Sequence, residues 1–249
     1  MQCITFSYLF IFAINFLCNR AELSAQNLVP NPSFEHFKKY PLNHSEFDGN
    51  VESWSAPTSG TTDLFTTPVK KAKKSTVSVP SNFAGYQNPK TGKSYAGFCA
   101  YTSTTPKYRE YLQVGLMNKL EKGELYCITF FLSLSNYSVY VVDKVGVAFS
   151  KEKIQRKTIN YLKRPMATNL DSFIIDTSKW FLYRSLYRSR GGEQYMILGT
   201  FKNIQATRFP NKIKIPADYK NLDNYSYSYY YIDDVSLITD EEKEVICGP

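Results

Sequence analysis

Two groups of residues in this 249-residue chain have types and spacings that could do chemistry. The first is aromatic and polar. Tyr101, Tyr108, Arg109, Glu110 and Tyr111 cluster beside Thr- and Ser-rich turns, and Trp54 precedes a loop rich in Pro, Gly, Ser and Thr. Aromatic faces stack on the apolar faces of flat rings, while Arg and Glu fix hydroxyl groups, so Trp54, Tyr101, Arg109, Glu110 and Tyr111 could line a shallow sugar site. The competing reading puts the Tyr rings on sheet faces and makes Arg109 and Glu110 a structural ion pair. The second group is acidic: Glu35 follows Phe34 near one end, and Asp233 and Asp234 lie near the other. By alternation with Val235 and Leu237, Asp233 shares the core-side face with Tyr231. A carboxylate there needs a hydrogen bond, a partner or a cation. If the ends of the chain pair, Glu35 approaches Asp233, and the pair suits a calcium ion with its preference for oxygen ligands. Otherwise the aspartates cap a turn and Glu35 is solvated.

Patterns for catalysis are missing. Glu110, Asp143, Asp176 and Glu193 are scattered without a motif that joins them, and there is no Gly-x-Ser-x-Gly elbow, phosphate loop or paired-His zinc motif. His36 and His44 are the only histidines, too few for a Cys/His metal cluster. Cys127 sits inside a strong strand pattern and reads as packed core. The chain is therefore expected not to be an enzyme.

The elements that position these residues read as short strands. Glu124–Ser135 is the clearest, because Tyr126, Ile128, Phe130, Leu132 and Leu134 make an apolar face at period two, with a mixed face opposite. Val139–Phe149 repeats the pattern, with Gly146 and Ala148 on the small side. Ser94–Ala100, Arg109–Leu116, Trp180–Tyr187 and Tyr195–Phe201 are further strands, the last two joined by a hairpin-like turn at Arg190-Gly191-Gly192. Asn27–Glu35 reads as an opening strand and Tyr229–Leu237 as its partner. Ser55–Phe65, Lys151–Thr177 and Asn203–Asn224 read as loops. Strands with long connections and no convincing amphipathic helix favour a jelly-roll or Greek-key sandwich over a meander barrel.

Composition agrees. Hydrophobic residues make up 43% and charged residues 21%, so a core can be buried. Aromatics reach 16%, with 20 Tyr and 17 Phe, which favours strands. The net charge of +8 includes a basic run, Lys70, Lys71, Lys73 and Lys74, that reads as solvated loop charge, since no nucleic-acid motif accompanies it. Nucleic acid is not an expected partner. Ile4–Cys18 is apolar but shorter than the roughly 20 residues of a membrane-spanning helix, and Ser24-Ala25-Gln26 offers a cleavage point. The expected division is a signal peptide at 1–25, a β-sandwich domain at 26–239 and a tail at 240–249, with no transmembrane span in the mature chain. Export leaves Cys99, Cys127 and Cys247, which allow one pair whose members the spacing leaves open.

NLVPNPSFE (Asn27–Glu35) and YYYIDDVSL (Tyr229–Leu237) together resemble the terminal strands of galactose-binding-domain-like jelly rolls, as in many carbohydrate-binding modules. That resemblance implies a single all-β sandwich of jelly-roll topology and a structural calcium held by Glu35 and Asp233, with Asp234 the weaker candidate. Trp54, GTTDLF (Gly60–Phe65), YREYLQ (Tyr108–Gln113) and GEQYMILGTF (Gly192–Phe201) also resemble the N-terminal β-sandwich of some OmpA-family bacterial cell-envelope proteins. The second, peptidoglycan-binding domain of those proteins has no counterpart after Leu237, so peptidoglycan anchoring is not carried over. The expectation is an exported, non-catalytic binding or adhesion module of the bacterial envelope, in the periplasm, at the outer-membrane surface or secreted, with a glycan or polysaccharide as partner. The alternative is a structural envelope protein that binds another protein.

Overall fold

A computed structural model describes residues 26–67, 75–164, 167–201, 204–209, 226–239 and 247, with the side chains of 168–171 excepted. The expected signal peptide, the Lys70–Lys74 run, much of the 203–224 loop and most of the 240–249 tail lie outside the described residues. In chain order the strands are β1 (Trp54–Ser55), β2 (Asp63–Thr66), β3 (Ser81–Asn82), β4 (Gly85–Tyr86), β5 (Ser94–Thr102), β6 (Tyr111–Gly115) and β7 (Leu125–Leu134). They continue with β8 (Tyr140–Val142), β9 (Lys144–Ser150), β10 (Thr168–Asp171), β11 (Phe181–Arg188), β12 (Tyr195–Gly199), β13 (Ala206–Arg208) and β14 (Tyr227–Thr239). No helix among the described residues is long and apolar enough to cross a membrane.

Two five-stranded antiparallel sheets carry the fold, one in the order β1-β6-β12-β9-β10 and the other β11-β7-β14-β5-β2. Apart from β9 and β10, neighbours in each order are not consecutive in the chain, as in a jelly-roll sandwich. The alternation of β7 sends Tyr126, Ile128, Phe130, Leu132 and Leu134 into the main core, where they meet Leu112, Val114, Val147 and Leu198 of the facing sheet. Phe130 stacks on Tyr183 of β11 at 4.2 Å, so truncating it would cost about 3–5 kcal/mol. On its other face β7 is only half covered, and Cys127 forms a disulfide with Cys247 across a sequence separation of 120.

Several expectations change, among them the 151–177 and 203–224 loops, which contain β10 and β13. Asn27–Glu35 forms turns rather than a strand: Pro30 and Pro32 cannot donate to a ladder, and Asn31 and Phe34 take φ of 50° and 59°. It still docks along β14, with Leu28 N donating to Leu237 O at 2.8 Å and Val235 N to Pro32 O at 3.0 Å. The Arg190–Gly192 turn does not join a hairpin, because β11 and β12 belong to opposite sheets. Part of the expected 55–65 loop is strand β2, paired with β5. In β14 the register shifts between Asp233 and Ser236, with Asp234 at φ 49°. This bulge turns the strand over: Tyr230, Ile232, Val235 and Leu237 fill the main core, whereas Tyr229 and Tyr231 join Phe65 and Tyr95 in a second cluster. Asp233 therefore sits on the face away from Val235, the opposite of what simple alternation gives.

Candidate functional site

The outer face of β2, β5 and β14 carries a cleft of about 450 Å³ whose lining includes Thr61, Asp63, Cys99, Tyr108, Glu110 and Tyr229. Asp63 comes from β2 and pairs in register with Gly97 of β5, which also faces Tyr231 of β14. Gly97 makes the arrangement possible, because a Cβ there would lie 2.5 Å from the Tyr229 hydroxyl. With that space open, Tyr229 donates to Asp63 Oδ2 at 2.6 Å, while Ser45 N donates to Oδ1 at 2.5 Å. Glu110, at the entry to β6, accepts from Cys99 N at 2.6 Å, from Thr61 Oγ1 at 3.1 Å and from the Tyr108 hydroxyl.

Asp63 and Glu110 are 2% and 4% exposed, so water does little to stabilise their charges. Burial, and then repulsion from Glu110, hold the Asp63 carboxyl well above the usual range, against the opposing pull of Tyr229. Burial likewise raises Glu110, and its hydrogen bonds to Tyr108 and Cys99 restrain the rise. Burial and the neighbouring carboxylates push up the Tyr229 and Cys99 acids as well. The cleft thus combines two carboxyls that repel each other, phenol and threonine hydroxyls, and the rings of Phe83 and Tyr227. Such a set can exchange hydrogen bonds with a hydroxyl-rich ligand while its rings meet apolar ring faces.

Of the residues expected in the sugar site, only Glu110 lines this cleft. Trp54 is buried in the main core, its ring 4.8 Å from Phe34 and its Nε1 donating to Asn31 O at 2.9 Å, so it is no stacking platform. Tyr111 is fully buried, donating to Thr200 O at 2.7 Å and accepting from Leu162 N at 2.9 Å. Arg109 is also buried and donates from Nη1 to the carbonyls of Pro106 and Tyr108, rather than pairing with Glu110. Its guanidinium lies 5.4 Å from the Tyr101 ring, which packs on the core and meets Tyr140 edge-on. The sequence reading missed Asp63, Thr61 and Tyr229. GTTDLF marked the first two only through the family resemblance, and Tyr229 read as an ordinary strand residue.

Glu35 and Asp233, from opposite ends of the chain, both accept from backbone N–H groups of the 90–94 stretch. Glu35 Oε1 accepts from Lys93 N and Ser94 N, both at 2.8 Å. Asp233 Oδ2 accepts from Lys90 N at 2.8 Å and Thr91 N at 3.4 Å, and Oδ1 from Asp234 N at 2.8 Å. Gly92, at φ 60°, is the tight point, since a Cβ there would run into the Glu35 carboxyl. Among the described residues no group of three or more His, Cys, Asp and Glu could hold a metal ion. The two carboxylates offer oxygen ligands, as calcium prefers, and carbonyls or waters would have to complete the shell.

The fold and cleft together define a jelly-roll β-sandwich with an acidic, phenol-rich site on one sheet face. No protein-family model matches the chain, and no curated protein does; the OmpA-family likeness goes no further. Among solved structures, the chain is similar to the CBM22-1 xylan-binding domain of Paenibacillus barcinonensis Xyn10C, at 13% identity and TM-score 0.40 over 86% of this chain and 95% of that one. It is similar to TmCBM61, solved with β-1,4-galactotriose, at 12% identity and TM-score 0.36 over 87% and 100%. It is also similar to the K1 cleaved adhesin domain of Lys-gingipain from Porphyromonas gingivalis, at 11% identity and TM-score 0.38 over 84% and 96%.

Proposed function

We propose that the chain is an exported, non-catalytic carbohydrate-binding module of the bacterial envelope, and that its site is the cleft between Asp63, Glu110, Tyr108 and Tyr229. The observation that carries this reading is the joining of two buried carboxyls to phenol and threonine hydroxyls along a cleft large enough for a short glycan segment. Each carboxyl is already engaged by internal donors, which suits holding a ligand better than moving its protons. The Cys127–Cys247 disulfide supports an oxidising compartment.

A structural calcium ion is the second part of the proposal. Burial and the adjacent Asp234 push Asp233 up to about 8. A hard cation bound to Asp233 and Glu35 would relieve that penalty.

The test is a glycan array probed with the full chain, followed by titration of the retained glycans. Neutral glycans should be retained, and Tyr108→Ala should weaken them by roughly tenfold at temperatures where the variant stays folded. Retention of no glycan, with specific capture of one envelope protein, would instead favour the protein-binding alternative. Product formed from a bound glycan would overturn the non-catalytic assignment.

A further inference from the structure

A second cleft, of about 650 Å³, opens where β9 runs into the 151–156 segment, far in character from the acid cleft. Among the described residues, five cations line it: Lys151, Lys153, Arg156, Arg164 and Arg190. They come from three separate stretches of chain and all are exposed. Two carboxylates share the lining, Glu152 and Glu193. Glu193 is already engaged, accepting from Tyr187 at 2.7 Å, from Ser189 Oγ at 2.9 Å and from Arg190 N at 2.8 Å. Arg164 is steadied from Nη1 by Phe149 O at 3.4 Å. The floor is apolar, formed by Ile154 and by the Phe149 ring stacked on Tyr187 at 4.3 Å.

We propose that this basic cleft is a second binding site, for a segment of anionic oligosaccharide carrying carboxylate or sulfate groups. Five cations around a cleft of about 650 Å³ carry more positive charge than one small anion neutralises, which suits a ligand that carries charge at intervals. The exposed amide of Gln155, with the apolar Ile154 and Phe149 in the same lining, fits a hydroxylated ring between those charges. A concave cleft cannot lie flush on a bilayer, and its volume suits a narrow chain better than a duplex. The site goes beyond the acid cleft and does not depend on it, since buried carboxyls there would repel the same ligand.

The test measures binding of oligogalacturonate, dextran sulfate oligomers and neutral dextran to the full chain by titration calorimetry. Oligogalacturonate or dextran sulfate should bind and dextran should not, and whichever of the two anions binds more tightly identifies the charged group. The double variant Lys153→Glu/Arg156→Glu, altered only at exposed side chains, should weaken that binding by roughly tenfold or more. Tyr108→Ala should leave it unchanged, so failure here is separable from failure of the acid cleft. The proposal falls if neither anion binds, if the double variant binds as the parent does with an unchanged melting curve, or if duplex DNA or anionic phosphatidylserine vesicles bind more tightly than both oligomers.

Discussion

The two clefts are built on opposite principles. The acid cleft is an extension of the packed interior: Asp63 and Glu110 are buried, and each accepts from a donor on a sheet, Tyr229 of β14 and Cys99 N of β5. The basic cleft is a rim of exposed side chains on connecting segments, with solvent at their charged ends. Polar chemistry is tied to folding in the first cleft and separate from it in the second. A ligand group that is also a core group cannot be changed without cost to the fold, whereas a rim cation can.

Replacing a member of the acid network is the hardest blow to this contrast. Asp63→Ala removes the acceptor for both Tyr229 and Ser45 N, and leaving the buried Tyr229 hydroxyl without a partner should cost about 1–3 kcal/mol in denaturant unfolding. A loss near zero would mean that the network is solvated and that the two clefts are alike.

The next effect is on pH. Burial raises the Asp63, Glu110 and Asp233 carboxyls, so the folded state keeps protons that the unfolded chain releases near pH 4. Where the native state binds more protons, stability falls as pH rises. Urea midpoints should therefore be highest at the acid end and decline from about pH 4 up to Asp233's value of about 8. Glu110→Gln and Asp233→Asn should each flatten that slope, and a slope unchanged in both would remove their assigned roles.

A smaller shift is expected from calcium. After metal-free preparation, millimolar calcium should raise the melting temperature above that in excess chelator, by linkage to the folded state alone. Coincident melting curves would leave Glu35 and Asp233 as clamps of the 90–94 stretch and nothing more. Smallest of all, Lys153→Ala in the basic cleft should change stability by less than about 0.5 kcal/mol, as an exposed rim position does. A larger loss would show that this rim, too, is tied to the core.

Much of the fold was legible because β7 and β9 obey a period of two without interruption. The inward set Tyr126, Ile128, Phe130, Leu132 and Leu134 is where alternation puts it. What was not legible depends on breaks in that period. The bulge at Asp233–Ser236 reverses the faces of β14, and nothing in YIDDVSL announces an extra residue. Partner choice was also hidden: the Arg190–Gly192 stretch looks like a hairpin turn, yet the strands it connects find their partners in different sheets. At the site, aromatic character misled. Trp54 and Tyr111 have the composition of a binding surface, but their polar atoms are satisfied by the backbone inside the core. Asp63 was overlooked because GTTDLF has turn-like neighbours, although its last residues pair with β5.

The disulfide also decides how the molecule would carry tension. Cys247 is fastened to Cys127 in β7, a strand held on both sides by β11 and β14. A pull applied at residue 249 would enter the sandwich through that covalent joint rather than along β14, whose ladders would be spared from peeling one bond at a time. Reduction would reroute the same force into β14 from its free end. An oxidised and a reduced molecule with the same resting fold would then differ in mechanical strength.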